Sequence, residues 1–268
     1  MQSTAPQPLE QTLSGKVAIV SGSSAGIGAA IARELSRRGA HVVINYPFPS
    51  EEPAAKAVQE SLKGTGRSIT VEADLSTLEG PQKLAEAAAA AFDGTIDILI
   101  NNAGRSALCS ITSASDAELA QTWDAVVNLN GRGTLLLTRA VLPFLARAGS
   151  RVVNVGSSTS RDPDPDMSVY AGSKGMVESF TRCWARELPR RHGCTVNTVA
   201  PGPVATAALL SAPPAFTDAL REKAERVPVA ARFAEPEEIA WTVAMLCEEK
   251  AGWLNGLYIP VSGGYNLL

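Results

Sequence analysis

The chain has 268 residues, 45% hydrophobic and 19% charged, and 24 Lys and Arg against 27 Asp and Glu give a formal net charge of -3. A chain of this size buries roughly three quarters of its unfolded surface, enough for one large α/β domain. No basic stripe points to nucleic acid and no block of like charge to an interaction tail, so neither partner class is expected.

Met1–Thr12 carries two prolines and no apolar stretch of the secretory kind, and residues 1–14 read as a flexible tail before a domain at 15–268. No apolar run reaches the roughly 18–20 residues of a membrane helix, which predicts a soluble, cytoplasmic protein. Lys16–Val20 reads as a buried strand, followed by a glycine-bearing turn, Ser21–Gly28, and a helix to about Arg38. His41–Asn45, Ser68–Glu72, Asp97–Ile100, Arg151–Val155, Thr195–Val199 and Leu257–Val261 read as six more strands. Between them the pattern predicts helices over Pro53–Lys63, Pro81–Phe92, Ala117–Leu145 in two pieces, Ser168–Leu188 and Pro236–Cys247. Short β-branched runs alternating with Ala-rich amphipathic segments predict a doubly wound α/β fold. Its sheet has seven mainly parallel strands covered by helices on both faces. Right-handed crossovers put every strand's C-terminal end on one edge, where such folds bind ligand.

Cys109, Cys183, Cys194 and Cys247 are widely spaced, so no disulfide framework is expected. Cys183 reads as a small buried hydrophobe of its helix. With only His41 and His192, no metal site is expected, and neither histidine accompanies a Gly-x-Ser-x-Gly elbow. The turn after the first strand says more. Gly22, Gly26 and Gly28 allow a tight turn and a close approach of backbone to a pyrophosphate, with the helix N-terminus supplying unpaired N–H groups. Ser24 and Ile27 belong to the same turn.

This SGSSAGIG segment resembles the TGxxxGIG motif of the short-chain dehydrogenase/reductase family, with Ser21 keeping a hydroxyl where the motif has Thr. The resemblance runs from about Lys16 to Gly264 and implies a single Rossmann-type dinucleotide-binding and catalytic domain. Tyr170 and Lys174 resemble the family's YxxxK; four apart on a helix, they share a face. A phenol has an ordinary pKa near 10, and a neighbouring ammonium together with a positive nicotinamide ring favours its phenolate. Ser157, thirteen residues before Tyr170, corresponds to the serine that holds the substrate oxygen, with Ser158 as the rival. Asn130, rather than Asn128, corresponds to the helical Asn of the proton relay, although Gly131 replaces the usual aliphatic neighbour. Asn130, Ser157, Tyr170 and Lys174 are therefore the expected catalytic set.

The resemblance also implies the cofactor contacts. Asn102, Ala103 and Gly104 match NNAG, and Asp74 with Leu75 falls where the family meets adenine. Pro201, Gly202, Val204 and Thr206 match PGxxxT beside the nicotinamide amide and the pyrophosphate, while Tyr170 and Lys174 also touch the ribose. Tyr46 stands where NAD-specific relatives carry Asp, and with Asn45 and the loop serines it favours NADP(H). Glu51 and Glu52 close behind leave NAD(H) open. The Arg161–Asp166 turn rims the expected substrate entrance, as a solvated Asp/Pro turn or as an acidic screen. Ala207–Arg226, interrupted by Pro213 and Pro214 and bearing Leu209, Leu210 and Phe216, reads as a substrate lid. The expected function is hydride transfer between nicotinamide and a carbonyl or alcohol carbon of a small molecule, by a homo-oligomer, dimer or tetramer. The rival readings are an epimerase, dehydratase or lyase using the same site, and a non-catalytic nucleotide-binding protein.

Overall fold

Val17–Val20 is four apolar residues, every one buried, and forms the interior strand β1 of the computed structural model, which describes residues 11–212 and 214–267. β2 (His41–Tyr46), β3 (Ser68–Glu72), β4 (Ile98–Asn101), β5 (Ser150–Val155), β6 (Cys194–Pro201) and β7 (Tyr258–Val261) complete one sheet in the order β3-β2-β1-β4-β5-β6-β7. Every neighbouring pair is parallel. Alternation along the strands divides the core. Ala18 and Val20 of β1 and Ile98 and Ile100 of β4 face one layer, and Val17, Ile19 and Leu99 face the other.

The first layer packs α1 (Gly26–Arg37) and part of α2 (Glu52–Glu60) against the sheet; Ile31 and Leu35 of α1 are fully buried there. The second layer holds Leu84 of α3 (Gly80–Ala91), which is fully buried. Beyond α3 the chain forms α4 (Asp116–Val127), a π-helical turn at Asn128–Gly133, and α5 (Thr134–Val141). The π turn is the physical break between the two expected helical pieces, because its wider ring offsets the α ladder by one residue. α6 (Ser168–Glu187) lies on the same layer, followed by the single turn α7 (Pro189–His192). After β6 come α8 (Ala207–Leu210) and α9 (Pro214–Ala224), and then α10 (Pro236–Cys247), which packs against α1 in the first layer.

Some boundaries differ from expectation. α2 ends at Glu60 rather than Lys63, because the Ser61 hydroxyl bonds back to the Val58 carbonyl and accepts from Arg33 Nε. β6 runs a residue further at its start and two at its end than the apolar run suggests. Cys183 is exposed, correcting the buried reading: Thr181 and Trp184 face the core, and Cys183 lies on the opposite side of the helix. Residues 1–10 of the expected tail, Pro213, and the side chains of Pro214 and Phe216 lie outside the described residues. Within 11–14, Leu13 is buried and its N–H donates to Arg38 O at 2.9 Å.

Among the described residues, no helix is long and apolar enough to cross a membrane. The chain leaves β1 toward β2 and β3, then returns across β1 to β4. That reversal leaves a crevice at the C-terminal ends of β1 and β4, where an open parallel sheet binds its ligand.

Candidate active site

The turn after β1 needs its glycines. Gly22 and Gly26 sit at φ +59° and +55°, a region side chains disfavour, and a Cβ on Gly22 would lie 2.9 Å from Ala103 Cα. A Cβ on Gly28 would come within 2.3 Å of Gly22 O and 2.5 Å of Asn102 Nδ2. The residues after β4 hold the turn from below. Asn102 Nδ2 donates to Ser21 O and Gly22 O, and the N–H groups of Asn102 and Ala103 donate to Ser21 Oγ. Thr206 is at hand as well: a Cβ on Gly26 would touch its methyl at 3.3 Å. α1 begins without a side-chain cap or an acidic residue in its first turn. Its N-terminal N–H groups and positive dipole end are therefore open to an anion. Narrow glycine turn, uncapped helix and nearby threonine fit a dinucleotide pyrophosphate.

The flanking residues have more particular parts. Asn45 was expected to meet the cofactor, but its buried amide binds the protein's own backbone at four points. Its Oδ1 accepts from Gly22 N, and its Nδ2 donates to Tyr46 O, Val71 O and Ala73 O. Ser23 is likewise turned inward, donating to Val20 O and accepting from Asn45 N. Ser24 is half-buried and its hydroxyl lies 3.4 Å from Glu51 Oε2. Tyr46 is buried at the end of β2, and burial, then Glu52 and Glu72, push its phenol above the ordinary range. Asp74 folds back on Ser76, accepting from its N–H and hydroxyl at 2.9 and 2.8 Å. Leu75 and Val204 are buried, and Ile27 packs on the first core layer. Pro201 ends β6, Gly202 follows half-buried, and Thr206 Oγ1 caps α8 by accepting from Leu209 N.

The four expected catalytic residues converge. Ser157 follows β5, buried; its hydroxyl accepts from Thr159 N at 3.2 Å and lies beside the Tyr170 phenol, where it opposes the rise that burial causes. Lys174 lies one helical turn from Tyr170, buried, with its ammonium donating to Val155 O at 2.8 Å. A Cβ on Gly104 would stand 3.3 Å from that ammonium and 3.1 Å from Asn130 Oδ1, so Asn130 and Lys174 face one small space. Asn130 is fully buried in the π turn; its Oδ1 accepts from Arg105 N, and its Nδ2 donates to Arg105 O and Ser173 Oγ. Gly131 beside it leaves room for Met176, whose sulfur a Cβ there would meet at 2.7 Å.

Burial depresses the Lys174 ammonium to about 8. Burial also raises the Tyr170 phenol, with the Ser157 hydrogen bond opposing. The protein alone therefore does not produce the lowered phenol expected of the Tyr-Lys pair, because burial of the phenol outweighs the opposing Ser157 hydroxyl. Two members of the site escaped the sequence reading. Ser173 links the Tyr170 carbonyl to Asn130, and Val155 anchors Lys174 through its backbone. Ser173 could have been found from its place one helical turn after Tyr170; a backbone acceptor leaves no mark in a sequence.

The rim also differs from a freely solvated turn. Asp164 pairs with Lys223 of α9, Asp162 accepts from Asn266 Nδ2 at 2.7 Å, and Asp166 O accepts from Cys109 N at 2.7 Å. Leu209 is half-buried and Leu210 exposed. Among the described residues, no group of three or more His, Cys, Asp or Glu is placed to hold a metal ion.

Comparison with known proteins agrees with this architecture. The family model described as Enoyl-(Acyl carrier protein) reductase matches residues 22–266. A short-chain dehydrogenase/reductase, FrzI, of a Cladobotryum species is 40% identical over 259 residues, covering 94% of this chain and 96% of its own. The crystal structure of a short chain dehydrogenase from Burkholderia cenocepacia in complex with NADP superposes with a TM-score of 0.84. It is 33% identical and covers 95% of this chain and 99% of that one. The angucycline C-6 ketoreductase LanV with bound NADP gives the same TM-score at 33% identity, covering 95% and 96%.

Proposed function

The chain belongs to the short-chain dehydrogenase/reductase family, and from that premise we propose that it is an NADP(H)-dependent oxidoreductase interconverting a carbonyl and a secondary alcohol. The observation that carries the reading is the convergence at the end of β5, where the buried Lys174, one helical turn from Tyr170, donates to Val155 O two residues before the buried Ser157. The glycine turn, the α1 N-terminus, Asn102–Gly104 and Thr206 would hold the dinucleotide. When bound, its nicotinamide supplies or accepts the hydride. The preference for the 2′-phosphorylated cofactor is supported by Tyr46 at the end of β2, where an acidic side chain would repel that phosphate, and by two similar structures that hold NADP.

In the reducing direction Tyr170 donates its phenolic proton to the substrate oxygen as negative charge develops there. Ser157 donates a second hydrogen bond to that oxygen and orients it. Lys174 would hold the ribose, and its ammonium is the cation near enough to offset the burial that raises Tyr170. Asn130, bonded to Arg105 and Ser173, faces the same small space as Lys174 and would support proton supply there. The dimer or tetramer that the family resemblance implies is supported by three exposed indoles, Trp123 on α4, Trp241 on α10 and Trp253 ahead of β7, and solution mass measures it.

The test is a screen of ketones and secondary alcohols at 340 nm with each nicotinamide cofactor, on the wild type and on Tyr170→Phe. The variant is expected to bind NADPH like the wild type and to lose roughly 10²–10⁴ in turnover. Unchanged kcat in the variant overturns the assignment of Tyr170. Failure to bind either cofactor overturns the enzyme reading altogether.

A further inference from the structure

Ser157 stands just beyond the sheet. The last ladder bond runs from Gly156 N to Val199 O at 2.8 Å, after which the chain turns into a short 3-10 segment, Ser158–Ser160. A serine at such a point keeps its direction only if its peptide plane is held. The Ser157 carbonyl accepts from Ser160 N at 3.1 Å and from Ser160 Oγ at 2.8 Å, both within the turn itself. Its third donor comes from far away in sequence: the Tyr258 hydroxyl on β7, at 3.1 Å. Tyr258 pairs in register with Thr198 of β6, and its hydroxyl also lies 3.4 Å from Ser160 Oγ.

The ring of Tyr258 is held in turn. The Arg161 guanidinium lies 3.8 Å from its centroid, and Arg161 binds Glu178 of α6 through Nε and Nη2 at 2.7–3.2 Å. Glu178 sits one helical turn beyond Lys174 and also binds Arg182. The turn that carries Ser157 is thereby clamped between the edge strand and the helix that carries Tyr170 and Lys174. The charged groups around Tyr258 are Arg161 and Glu178, and burial keeps its phenol above the ordinary range, so the hydroxyl stays a donor at neutral pH. Around Tyr170 the relevant groups are Ser157 and Lys174.

We propose that Tyr258 is a positioning residue for the reaction: its hydrogen bond to the Ser157 carbonyl fixes the serine hydroxyl against Tyr170 and the substrate oxygen. The inference rests on the oxidoreductase reading above. Ser160 N, Ser160 Oγ and the Thr159 N–H that donates to the Ser157 hydroxyl hold the turn locally. Loss of the Tyr258 hydroxyl removes the one donor that ties the Ser157 carbonyl to β7, loosening the turn relative to the sheet without disturbing the glycine turn or the Tyr-Lys helix. A small misplacement of a group that orients a reacting atom lowers kcat more than it alters binding.

Tyr258→Phe removes the hydroxyl and keeps the ring under Arg161. Its kcat is expected to fall about tenfold, the equivalent of one hydrogen bond, with NADPH affinity unchanged. Because the Ser157 bond favours the Tyr170 phenolate, the acid limb of kcat/KM for alcohol oxidation should move to higher pH. Ser157→Ala should show the same shift and a larger loss, and the double variant should be no slower than Ser157→Ala alone. Tyrosine-labelled ¹³C NMR follows Tyr170 with or without turnover, and its midpoint should rise in Tyr258→Phe. Tyr258→Met reads the same hydroxyl should Phe pack badly. A wild-type kcat, pH profile and Tyr170 midpoint in these variants, or additive losses in the double variant, overturn the proposal. Absence of turnover by the wild type would instead strike the oxidoreductase reading, leaving the NMR midpoint to decide on Tyr258.

Discussion

Lys174 is the residue whose environment departs furthest from its ordinary chemistry. Its ammonium is buried against one carbonyl, Val155 O, and burial lowers it from the usual 10.5 to about 8. Below pH 8 the folded protein must keep a poorly solvated charge that the unfolded chain hydrates freely. The difference corresponds to about 3 kcal/mol of lost stability. The sign follows from proton counting. Between about 8 and 10.5 the unfolded chain holds more protons than the fold, so this contribution to stability improves as pH rises. Lys174→Met is therefore expected to unfold at a higher temperature than the wild type at pH 7 without cofactor, and to have lost turnover. Its advantage should shrink as pH rises from 8 toward 10.5. An advantage that does not change over that range would contradict the burial argument, and denaturation of both proteins across pH measures it.

At the scale of elements, the segment between Ser157 and Tyr170 is tied to three other parts of the chain. Asp164 pairs with α9, Asp162 with Asn266 near the C-terminus, and the Asp166 carbonyl with the loop at Cys109. Of the three acids at the rim only Asp164 is paired with a cation; Asp162 is held by a neutral amide and Asp166 through its backbone, so the turn is anchored while two of its carboxylates keep their charge. The Asp164–Lys223 pair is partly exposed, with side-chain exposures of 38% and 29%, so its worth is under about 1 kcal/mol and falls with salt. Asp164→Asn is expected to raise the substrate KM about two- to fivefold at low salt while NADPH affinity stays constant. The difference should fade at high ionic strength. A salt-independent effect, or an altered cofactor affinity, would show that the turn acts otherwise; steady-state kinetics at two salt concentrations decides.

For the whole molecule, the cofactor crevice lies between the two halves of the sheet, with β1 and α1 on one side and β4 on the other. A dinucleotide there bridges elements far apart in sequence and stabilises the fold by mass action. At a hundredfold excess over Kd the gain is about 2.7 kcal/mol, or roughly 5 °C in Tm for a domain of this size. NADPH is expected to give that shift and NADH at equal concentration a smaller one. A larger shift with NADH would reverse the proposed preference; thermal scans with each cofactor measure both.

The strand order along the chain, the two-faced helical cover and the glycine turn were legible because they depend on local rules. The four buried residues of β1 and the left-handed Gly22 and Gly26 each follow from pattern or backbone sterics within a few positions. Cys183 was misread because an amphipathic period marks an apolar stripe but leaves its edges open, and one position's rotation moves a side chain from core to solvent. Asn45 shows a different limit: an amide beside a nucleotide turn can brace the loop or meet the ligand, composition is the same in both cases, and only the structure shows that its side chain braces the loop. What the amino-acid order determined by itself was the alternation of elements and the residue types brought to one sheet edge. Only the tertiary structure decided that Lys174 is aimed at Val155, that Asp164 finds Lys223, and that Tyr258 reaches Ser157 across 101 positions. Periodicity and turn chemistry act over a few residues, whereas these contacts exist only once β5, β6 and β7 lie side by side.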